Sequence, residues 1–387
     1  MKKLTILLVA MLFSAGMAFA QSNNATVDQN GNGNDVVADQ NGSFNDVMLL
    51  QQVKDNQADI VQTGDGNILQ NSITGSKPGY PGYAVQSATA LLDLDQVGNG
   101  NVVGLFQNNQ KNRATIEQIG DGNTADVSQV AFGGVVNGNE TDLSQVGNDN
   151  MTQVIQGISG GNHSDNFATI DIDGDGNGDG SVGDAYMLIE QYGDFNMANV
   201  TVDGDYNDTD VLQNGNDNEA RTDIINGASY NAVSMEQTAG DNNKAVYRVG
   251  ASDDNDLTLT QTGSQNISHV QVLSGADMNT TNISQVGLNN RGFWLISGGS
   301  SDMNSVTGAT TGDDNKATGQ ISGSDNTVTF TQTGSDNLIG LSGQWNAKDG
   351  VVISGDMNTA TVTQLSDMNS AVVNVSGNNN TATITQN

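Results

Sequence analysis

Asparagine and glutamine recur at a fixed spacing along this chain. The pattern Asn-x5-Gln, in which five residues separate the two amides, occurs 16 times, from Asn23–Gln29 to Asn380–Gln386. Because the 387 residues include 51 Asn and 29 Gln, random placement would give only about four matches. Near the N-terminus consecutive matches lie 11 residues apart, as in Asn34–Gln40 and Asn45–Gln51. The chain is therefore built from repeats, and a repeat this short limits the folds that it can form.

Each match reads as one β-strand followed by one tight turn. Within residues 34–40, Asn, Val, Ala and Gln occupy every second position, and the alternate positions include Asp35 and Asp39. This period of two predicts a strand of seven residues. Four residues that usually include Gly follow the Gln, as in Thr63-Gly64-Asp65-Gly66, and Gly and Asp suit a tight turn. Strand and turn together make an 11-residue half-repeat.

An 11-residue unit cannot bury its own inner face, so it must stack on copies of itself. Two units make a strand–turn–strand rung of about 22 residues, and rungs stack at the ~4.8 Å spacing of paired strands. We therefore predict an all-β fold, a β-solenoid with amyloid-like cross-β stacking and roughly 16 rungs. A disordered, prion-like segment would explain the composition but neither the period nor the alternation.

The stacking explains why amides recur at these positions, since a buried amide is costly unless it forms hydrogen bonds. A ladder pairs every amide with its copies above and below. The predicted ladder residues are Asn34, Gln40, Asn45, Gln51, Asn56, Gln62, Asn101, Gln107, Asn112, Gln118, Asn123, Gln129, Asn380 and Gln386. The predicted turn glycines are Gly31, Gly42, Gly64, Gly98 and Gly120.

The first 20 residues have the features of a secretory signal peptide. Lys2 and Lys3 precede an apolar run, and Ala18-Phe19-Ala20 follows it as a cleavage motif. We interpret 21–387 as one exported solenoid without a membrane span, interrupted at about 71–95, which contains both prolines, and at 171–186. The first and last matches lie close to the ends of this segment, and we expect both ends to accept further rungs.

The charge of the chain excludes one class of partner. There are 44 acidic and 12 basic residues, for a net charge of −32, which becomes −34 without the two lysines of the signal peptide. With no basic stripe to neutralise phosphates, nucleic acid is not an expected partner. We interpret the acidity as a means of keeping the chain soluble during export, and expect salt or divalent cations to accelerate assembly.

The pattern Gln-x-Gly-x-x-Asn-x-Ala-x3-Gln at residues 118–129 resembles the curlin repeat of bacterial curli fibres. Residues 29–40 and 96–107 fit similarly, with Val in place of Ala. The resemblance implies a secreted subunit that assembles with itself into functional amyloid fibres at the cell surface, for adhesion and biofilm matrix. It also implies a related nucleator subunit and an outer-membrane secretion pore as partners.

No enzymatic activity is expected, because the chain has no Cys and its two histidines, His163 and His269, lack a partner motif. Asp173, Asp175, Asn177 and Asp184, with Gly178 at the sixth position, have the spacing of a calcium loop. Calcium is therefore the one cofactor considered, although Asp replaces the usual Glu at the twelfth position. The alternative function is a monomeric, acidic, calcium-dependent solenoid adhesin. Outward threonine rows such as 327–331 would also suit an ice-binding face, but Thr is a common residue of exposed strands.

Overall fold

A computed structural model describes residues 22–71, 82–108, 111–131, 138–157, 164–180, 186–273, 275–298, 301–340 and 349–387. This part of the chain contains 32 β-strands joined by turns. None of its residues belongs to a helix that could cross a membrane. The predicted signal peptide, residues 1–20, lies outside the described residues.

The strands alternate between two parallel sheets, which we name sheet A and sheet B. Sheet A contains β1 (Asn24–Asn32), β3 (Asp46–Lys54), β5 (Ile68–Asn71), β6 (Ala84–Ser87), β8 (Val102–Asn108), β10 (Thr124–Val130), β12 (Met151–Gln156), β14 (Met187–Tyr192), β16 (Asp208–Asn214), β18 (Ala232–Thr238), β20 (Asp256–Thr262), β22 (Thr280–Val286), β24 (Ser305–Thr311), β26 (Thr327–Thr333), β29 (Thr359–Gln364) and β32 (Thr381–Gln386). Sheet B contains β2 (Asp35–Asn41), β4 (Gln57–Thr63), β7 (Leu91–Val97), β9 (Arg113–Ile119), β11 (Glu140–Val146), β13 (Phe167–Asp173), β15 (Met197–Asp203), β17 (Glu219–Ile225), β19 (Lys244–Gly250), β21 (Ile267–Leu273), β23 (Arg291–Ser297), β25 (Lys316–Ser322), β27 (Leu338–Ile339), β28 (Val351–Ser354), β30 (Ser370–Ala371) and β31 (Val373–Ser376).

Successive strands of a sheet pair in parallel and in register, so the prediction of an all-β solenoid is confirmed. We call each position in the stacking order of a sheet a level. Three levels consist of two short strands each, namely β5 with β6, β27 with β28, and β30 with β31. Sheet A therefore has 15 levels and sheet B has 14. The estimate of roughly 16 is slightly high because some rungs are long: Gln51 and Gln86 occupy adjacent levels 35 residues apart, whereas regular rungs repeat after 22.

The core is a narrow apolar layer between the two sheets. In β13, Ala168, Ile170 and Ile172 are at most 1% exposed, and the residues between them face solvent. Parallel register places each inward residue on the inward residue of the next level, as with Ile224 and Val249. The period of two read from the sequence therefore separates core from surface in most strands inside the stack, such as β13, whereas β1 and β2 at the N-terminal edge are largely exposed.

Two glycines make room for the largest side chains of the core. The rings of Trp294 and Phe330 are buried and stacked, with centroids 4.9 Å apart. Gly308 lies one level below Phe330, and a Cβ there would come within 1.9 Å of the ring. Gly319 lies one level above Trp294, where a Cβ would come within 2.1 Å of the indole. Core volume is thus balanced between neighbouring levels, which periodicity alone does not reveal.

Both predicted interruptions are shorter than the sequence suggested. The segment 71–95 contains β6 and the start of β7, which pair within sheets A and B. In the segment 171–186, β13 continues to Asp173, and Gly178 already donates its backbone N–H to Asn207 across the rungs. The prolines Pro78 and Pro81, and residues 181–185, lie outside the described residues.

Candidate assembly site: the amide ladders

An unbroken ladder of asparagines lies immediately before the strands of sheet A. At each step the backbone N–H of one Asn donates to the side-chain Oδ1 of the Asn one level below, over 2.8–3.1 Å. From Asn45 upward these side chains are buried until the last level. The members are Asn23, Asn45, Asn67, Asn101, Asn123, Asn150, Asn177, Asn207, Asn231, Asn255, Asn279, Asn304, Asn326, Asn358 and Asn380.

A second asparagine ladder precedes the strands of sheet B and uses the same bond, over 3.0–3.2 Å. Ala90 replaces Asn at one level, where its N–H still donates to Asn56 Oδ1. The members are Asn34, Asn56, Asn112, Asn139, Asn166, Asn196, Asn218, Asn243, Asn266, Asn290, Asn315, Asn337 and Asn369.

Glutamine ladders lie at the opposite end of the strands and have the reverse direction. In sheet A each Gln donates Nε2–H to Oε1 of the Gln one level above, over 2.8–3.1 Å. Thr310 interrupts the column at one level. The members are Gln29, Gln51, Gln86, Gln107, Gln129, Gln156, Gln191, Gln213, Gln237, Gln261, Gln285, Gln332, Gln364 and Gln386.

In sheet B the glutamine ladder stops after Gln145. Its members Gln40, Gln62, Gln96, Gln118 and Gln145 are joined over 2.8–2.9 Å. Ile172 takes the next level, and Ile or Val takes this position in the following rungs as far as β25. The two half-repeats are therefore no longer equivalent beyond Gln145: both keep the Asn, but only sheet A keeps the Gln.

The search for Asn-x5-Gln consequently missed every asparagine of the sheet B ladder after Gln145. Asn166, Asn196 and Asn218 are buried members of the sheet B ladder, yet Ile or Val stands six residues after each of them. A search for Asn followed six residues later by Gln, Ile or Val would have found them. All 14 ladder amides predicted from the sequence lie in these ladders.

The side-chain amide of many ladder asparagines also bonds to the turn above. Asn101 Nδ2 donates to the carbonyl of Gly120, and Asn123 Nδ2 to that of Gly147, both at 2.8 Å. Asn101 thus contacts the level below through its own backbone N–H and the level above through both Oδ1, which accepts from the N–H of Asn123, and Nδ2, which binds the turn. Because three chain segments meet at one buried side chain, removing it leaves several polar groups unpaired.

The predicted turn glycines stack on one another with almost no space between levels. Gly42, Gly64, Gly98 and Gly120 form one column with positive φ, and a Cβ on each would lie 1.8–2.0 Å from the carbonyl oxygen of the next glycine. Gly31 lies at the other corner of the rung, against the carbonyl of Val53. Only glycine satisfies both the backbone conformation and the contact distance at these positions.

The structure describes three of the four residues predicted to bind calcium. Asn177 is buried in the sheet A ladder, where its Oδ1 accepts from the N–H and the side-chain amide of Asn207 at 2.8 and 3.2 Å. Its side-chain oxygen therefore already accepts two hydrogen bonds within the solenoid. Asp175 Oδ1 accepts from the backbone N–H of Asn148 at 2.7 Å, and Asp173 is exposed at the end of β13. Asp184 lies outside the described residues, which contain no group of three or more acidic or histidine side chains placed to hold a metal ion.

The two ends of the solenoid expose opposite halves of the ladder bonds. Among the described residues, no donor reaches Oε1 of Gln29 or Gln40 at the N-terminal edge, and Asn34 Nδ2 is buried there without a partner. At the C-terminal edge, no described donor reaches Oδ1 of Asn369 or Asn380. Gln acceptors and an Asn donor thus lie at one edge, and Asn acceptors lie at the other.

The C-terminal levels also carry the similarity to known proteins. Residues 351–387, which include β28 and β32, match the family model described as curlin associated repeat. No curated protein matches the chain. Curlin repeats belong to extracellular curli fibre proteins, which are a structural family. The resemblance found in the sequence is confirmed for residues 351–387: the last levels of this solenoid carry a curlin associated repeat.

Proposed function

We propose that this protein is an exported structural subunit that assembles end to end into curli-like amyloid fibres at the cell surface, for adhesion and biofilm matrix. In this proposal residues 1–20 direct export and 21–387 form the fibre subunit. Its partners are further copies of itself, a related nucleator subunit and an outer-membrane secretion pore. The observation that carries the proposal is the complementarity of the two open edges.

The direction of the side-chain bonds defines how copies meet. Within the chain, Asn Oδ1 accepts from the level above, and Gln Oε1 accepts from the level below. An N-terminal edge placed on a C-terminal edge continues the patterns of sheet A and of both Asn ladders, because Asn34 Nδ2 then finds an Asn acceptor and Gln29 Oε1 finds Gln386. Gln40 meets Val375 in sheet B and gains no donor there. Two N-terminal edges would instead place acceptor against acceptor. The ends therefore favour a polar, head-to-tail fibre.

Backbone groups at the open edge of β32 support the same conclusion. In the level below, the N–H groups of Thr359 and Leu365 donate upward to the carbonyls of Asn380 and Gln386. By the same repeat, the N–H groups of Thr381, Thr383 and Thr385 point away from the rod. A row of unpaired strand donors is a template for another strand.

Replacing Thr383 by Pro should slow fibre elongation by about tenfold or more. The substitution removes one outward N–H from β32 but none of the bonds between β32 and β29. Thioflavin fluorescence, with growth measured from preformed seeds, gives the elongation rate, and circular dichroism checks that the monomer retains its strands. Thr383→Ala is the matched control, since it removes the side chain but keeps the N–H. Equal rates for the Pro and Ala variants would contradict growth at this edge.

Salt should accelerate assembly, because the repeated turns place like charges on successive levels. Asp253, Asp277 and Asp302 occupy one turn position on three consecutive levels, each bonded to the backbone of the level below. We expect the elongation rate to rise several-fold between about 20 and 200 mM NaCl, as screening shortens the range of repulsion. CaCl₂ at equal ionic strength provides a second arm: a larger effect of calcium indicates specific binding at the turns. A rate that does not depend on ionic strength would contradict the role assigned to the charge.

A monomeric adhesin remains the alternative, and one experiment separates the two functions. Purified protein without the signal peptide is incubated at neutral pH, with and without calcium, and observed by electron microscopy and fibre diffraction. Fibres with a meridional reflection at ~4.8 Å support the proposal. A protein that stays monomeric with a strand-rich circular dichroism spectrum would support the adhesin instead.

A further inference from the structure

The outer face of sheet B is divided into regions of opposite charge. We use the name acidic block for the outward carboxylates of β4, β7, β9 and β11. They are Asp59, Asp93, Asp95, Glu117, Glu140 and Asp142. Arg113 is the one cation among them, paired with Glu140 at 3.2 Å. The block therefore carries a net charge of −5.

Farther along the same face, the charge reverses. We use the name basic block for the outward cations of β19, β23 and β25. They are Lys244, Arg248, Arg291 and Lys316. The outward positions of β19, β21, β23 and β25 hold no carboxylate, so the block carries +4. Glu219 contacts its edge, at 2.6 Å from Lys244. In a chain with 12 basic residues, of which two lie in the predicted signal peptide, this clustering is strongly non-uniform.

One side chain on the strands of each block has a shifted pKa, chiefly because it is partly buried and in part because like charges lie nearby. Partial burial and the neighbouring Asp93 raise the pKa of the Asp95 carboxyl above its usual value. In the basic block, burial lowers the pKa of His269, and the nearby Lys244 and Arg248 lower it further. Each block thus disfavours additional charge of its own sign and favours an oppositely charged surface.

The positions of the two blocks are related by symmetry. The order of sheet B is β4, β7, β9, β11, β13, β15, β17, β19, β21, β23, β25, so β15 lies midway between them. If two copies face each other with antiparallel rod axes and a two-fold axis along β15, then β19 lies over β11 and β23 over β7. Both acidic blocks then meet basic blocks at the same time, as an isologous interface requires.

We propose that two copies of this protein pair side by side through sheet B, antiparallel, about a two-fold axis at β15. Where block meets block, the facing charges of −5 and +4 nearly cancel. The strands between the blocks carry five outward carboxylates and one cation, which are Asp171, Asp173, Asp203, Glu219, Asp223 and Arg221. At the centre of the face, Met197 of β15 is 48% exposed and lies over its own copy across the two-fold axis, which provides apolar contact between sheets packed ~10 Å apart.

This pairing uses the side of the rod and goes beyond the end-to-end assembly proposed above. For soluble protein the product is a dimer, and for fibres it is a pair of laterally joined filaments. An acidic polymer could also bind the basic block, but the acidic block would repel it. The charge complementarity within one face therefore favours a second copy as the partner.

The test neutralises the basic block with Lys244→Gln, Arg248→Gln, Arg291→Gln and Lys316→Gln. The matched control changes the net charge of the protein by the same amount on the outer face of sheet A. Its substitutions are Thr260→Glu, Thr307→Glu, Thr329→Glu and Thr361→Glu. Sedimentation velocity of freshly purified protein at about 20 mM salt measures pairing, where exposed charges are weakly screened. We expect the dimer dissociation constant to rise about tenfold for the first variant and much less for the control.

A charge swap then distinguishes the partners. The four basic residues become Glu, and Asp59, Asp93, Glu117 and Asp142 become Lys. If two copies pair, the swapped protein dimerises like the native one and no longer binds the native chain. If native protein remains monomeric at low salt, or if the swap fails to restore pairing, the proposal is overturned.

Electron microscopy of fibres keeps the two proposals separate. Single filaments at every salt concentration would contradict the lateral pairing but leave end-to-end assembly intact. Dimers without fibres would support the pairing and contradict the proposed fibre function. Paired filaments that separate at about 300 mM salt, where screening is strong, would support both.

Discussion

Replacing Asn279 by Ala should lower the free energy of unfolding by about 3–5 kcal/mol. Asn279 is buried, and its Oδ1 accepts from both the backbone N–H and Nδ2 of Asn304, at 2.9 and 3.0 Å. Its own Nδ2 donates to Asn255 at 3.1 Å. Alanine cannot replace these bonds, and water does not reach the groups left behind. Thermal and denaturant unfolding followed by circular dichroism measure the loss.

Asn282 provides the matched control, because it lies on the same level with its side chain exposed on β22. Asn282→Ala removes the same chemical group from the surface, and we expect a change within about 0.5 kcal/mol. Hydrogen exchange should show faster exchange at the Asn304 N–H in the Asn279 variant only, since that donor loses its acceptor. Equal stability of the two variants would contradict the structural role of the ladder.

The second large effect is expected at the turn, where Gly98→Ala should destabilise the solenoid by about 3–5 kcal/mol. Gly98 has a φ of 119°, and a Cβ there would lie 2.0 Å from the carbonyl oxygen of Gly120. The levels cannot separate to relieve the contact without breaking the strand pairing on both sides. Unfolding monitored by circular dichroism gives the change in stability, and seeded growth gives its effect on assembly.

Gly100 in the same turn separates the contact from the backbone conformation. Its φ is 68°, and no atom lies within 4 Å of a Cβ built there. Gly100→Ala should therefore cost only about 1 kcal/mol, the penalty of a left-handed residue. Other levels carry Asp at this position in the same conformation, for example Asp149 and Asp325 with φ of 57° and 58°. A Gly98 variant no less stable than the Gly100 variant would show that the levels are not as tightly stacked as the structure indicates.

Much of the fold could be predicted because the residues within each short repeat determine its local structure. Alternation within 34–40 determines which residues face inward, and the turn glycines determine where the strand ends. The ladder amides Asn34 and Gln40 could be assigned because an amide between two apolar residues needs a partner, and in a repeat the available partner is its own copy. These inferences use local spacing only, so they hold wherever the repeat keeps its Asn and Gln.

Other features depend on which residues meet across levels, and the sequence did not reveal them. Asn177 was interpreted as part of a calcium loop because its neighbours are acidic, yet stacking on Asn150 and Asn207 places it inside a ladder. The sheet B asparagines after Gln145 were missed because Ile or Val had replaced their Gln partners. In both cases the neighbour that determines the role lies one level away in space and 22 to 30 residues away in sequence.

By itself, the sequence determined the strand period, the inward faces, the turns and the stacking of copies, since each follows from residues within one 11-residue unit. Only the tertiary structure decided which levels carry long insertions, how Gly308 and Gly319 accommodate Phe330 and Trp294, and that the charges of sheet B form two blocks on either side of β15. The physical reason is the register between levels. Insertions of variable length change the sequence distance between neighbours, whereas hydrogen bonding between strands keeps them in contact regardless of that distance.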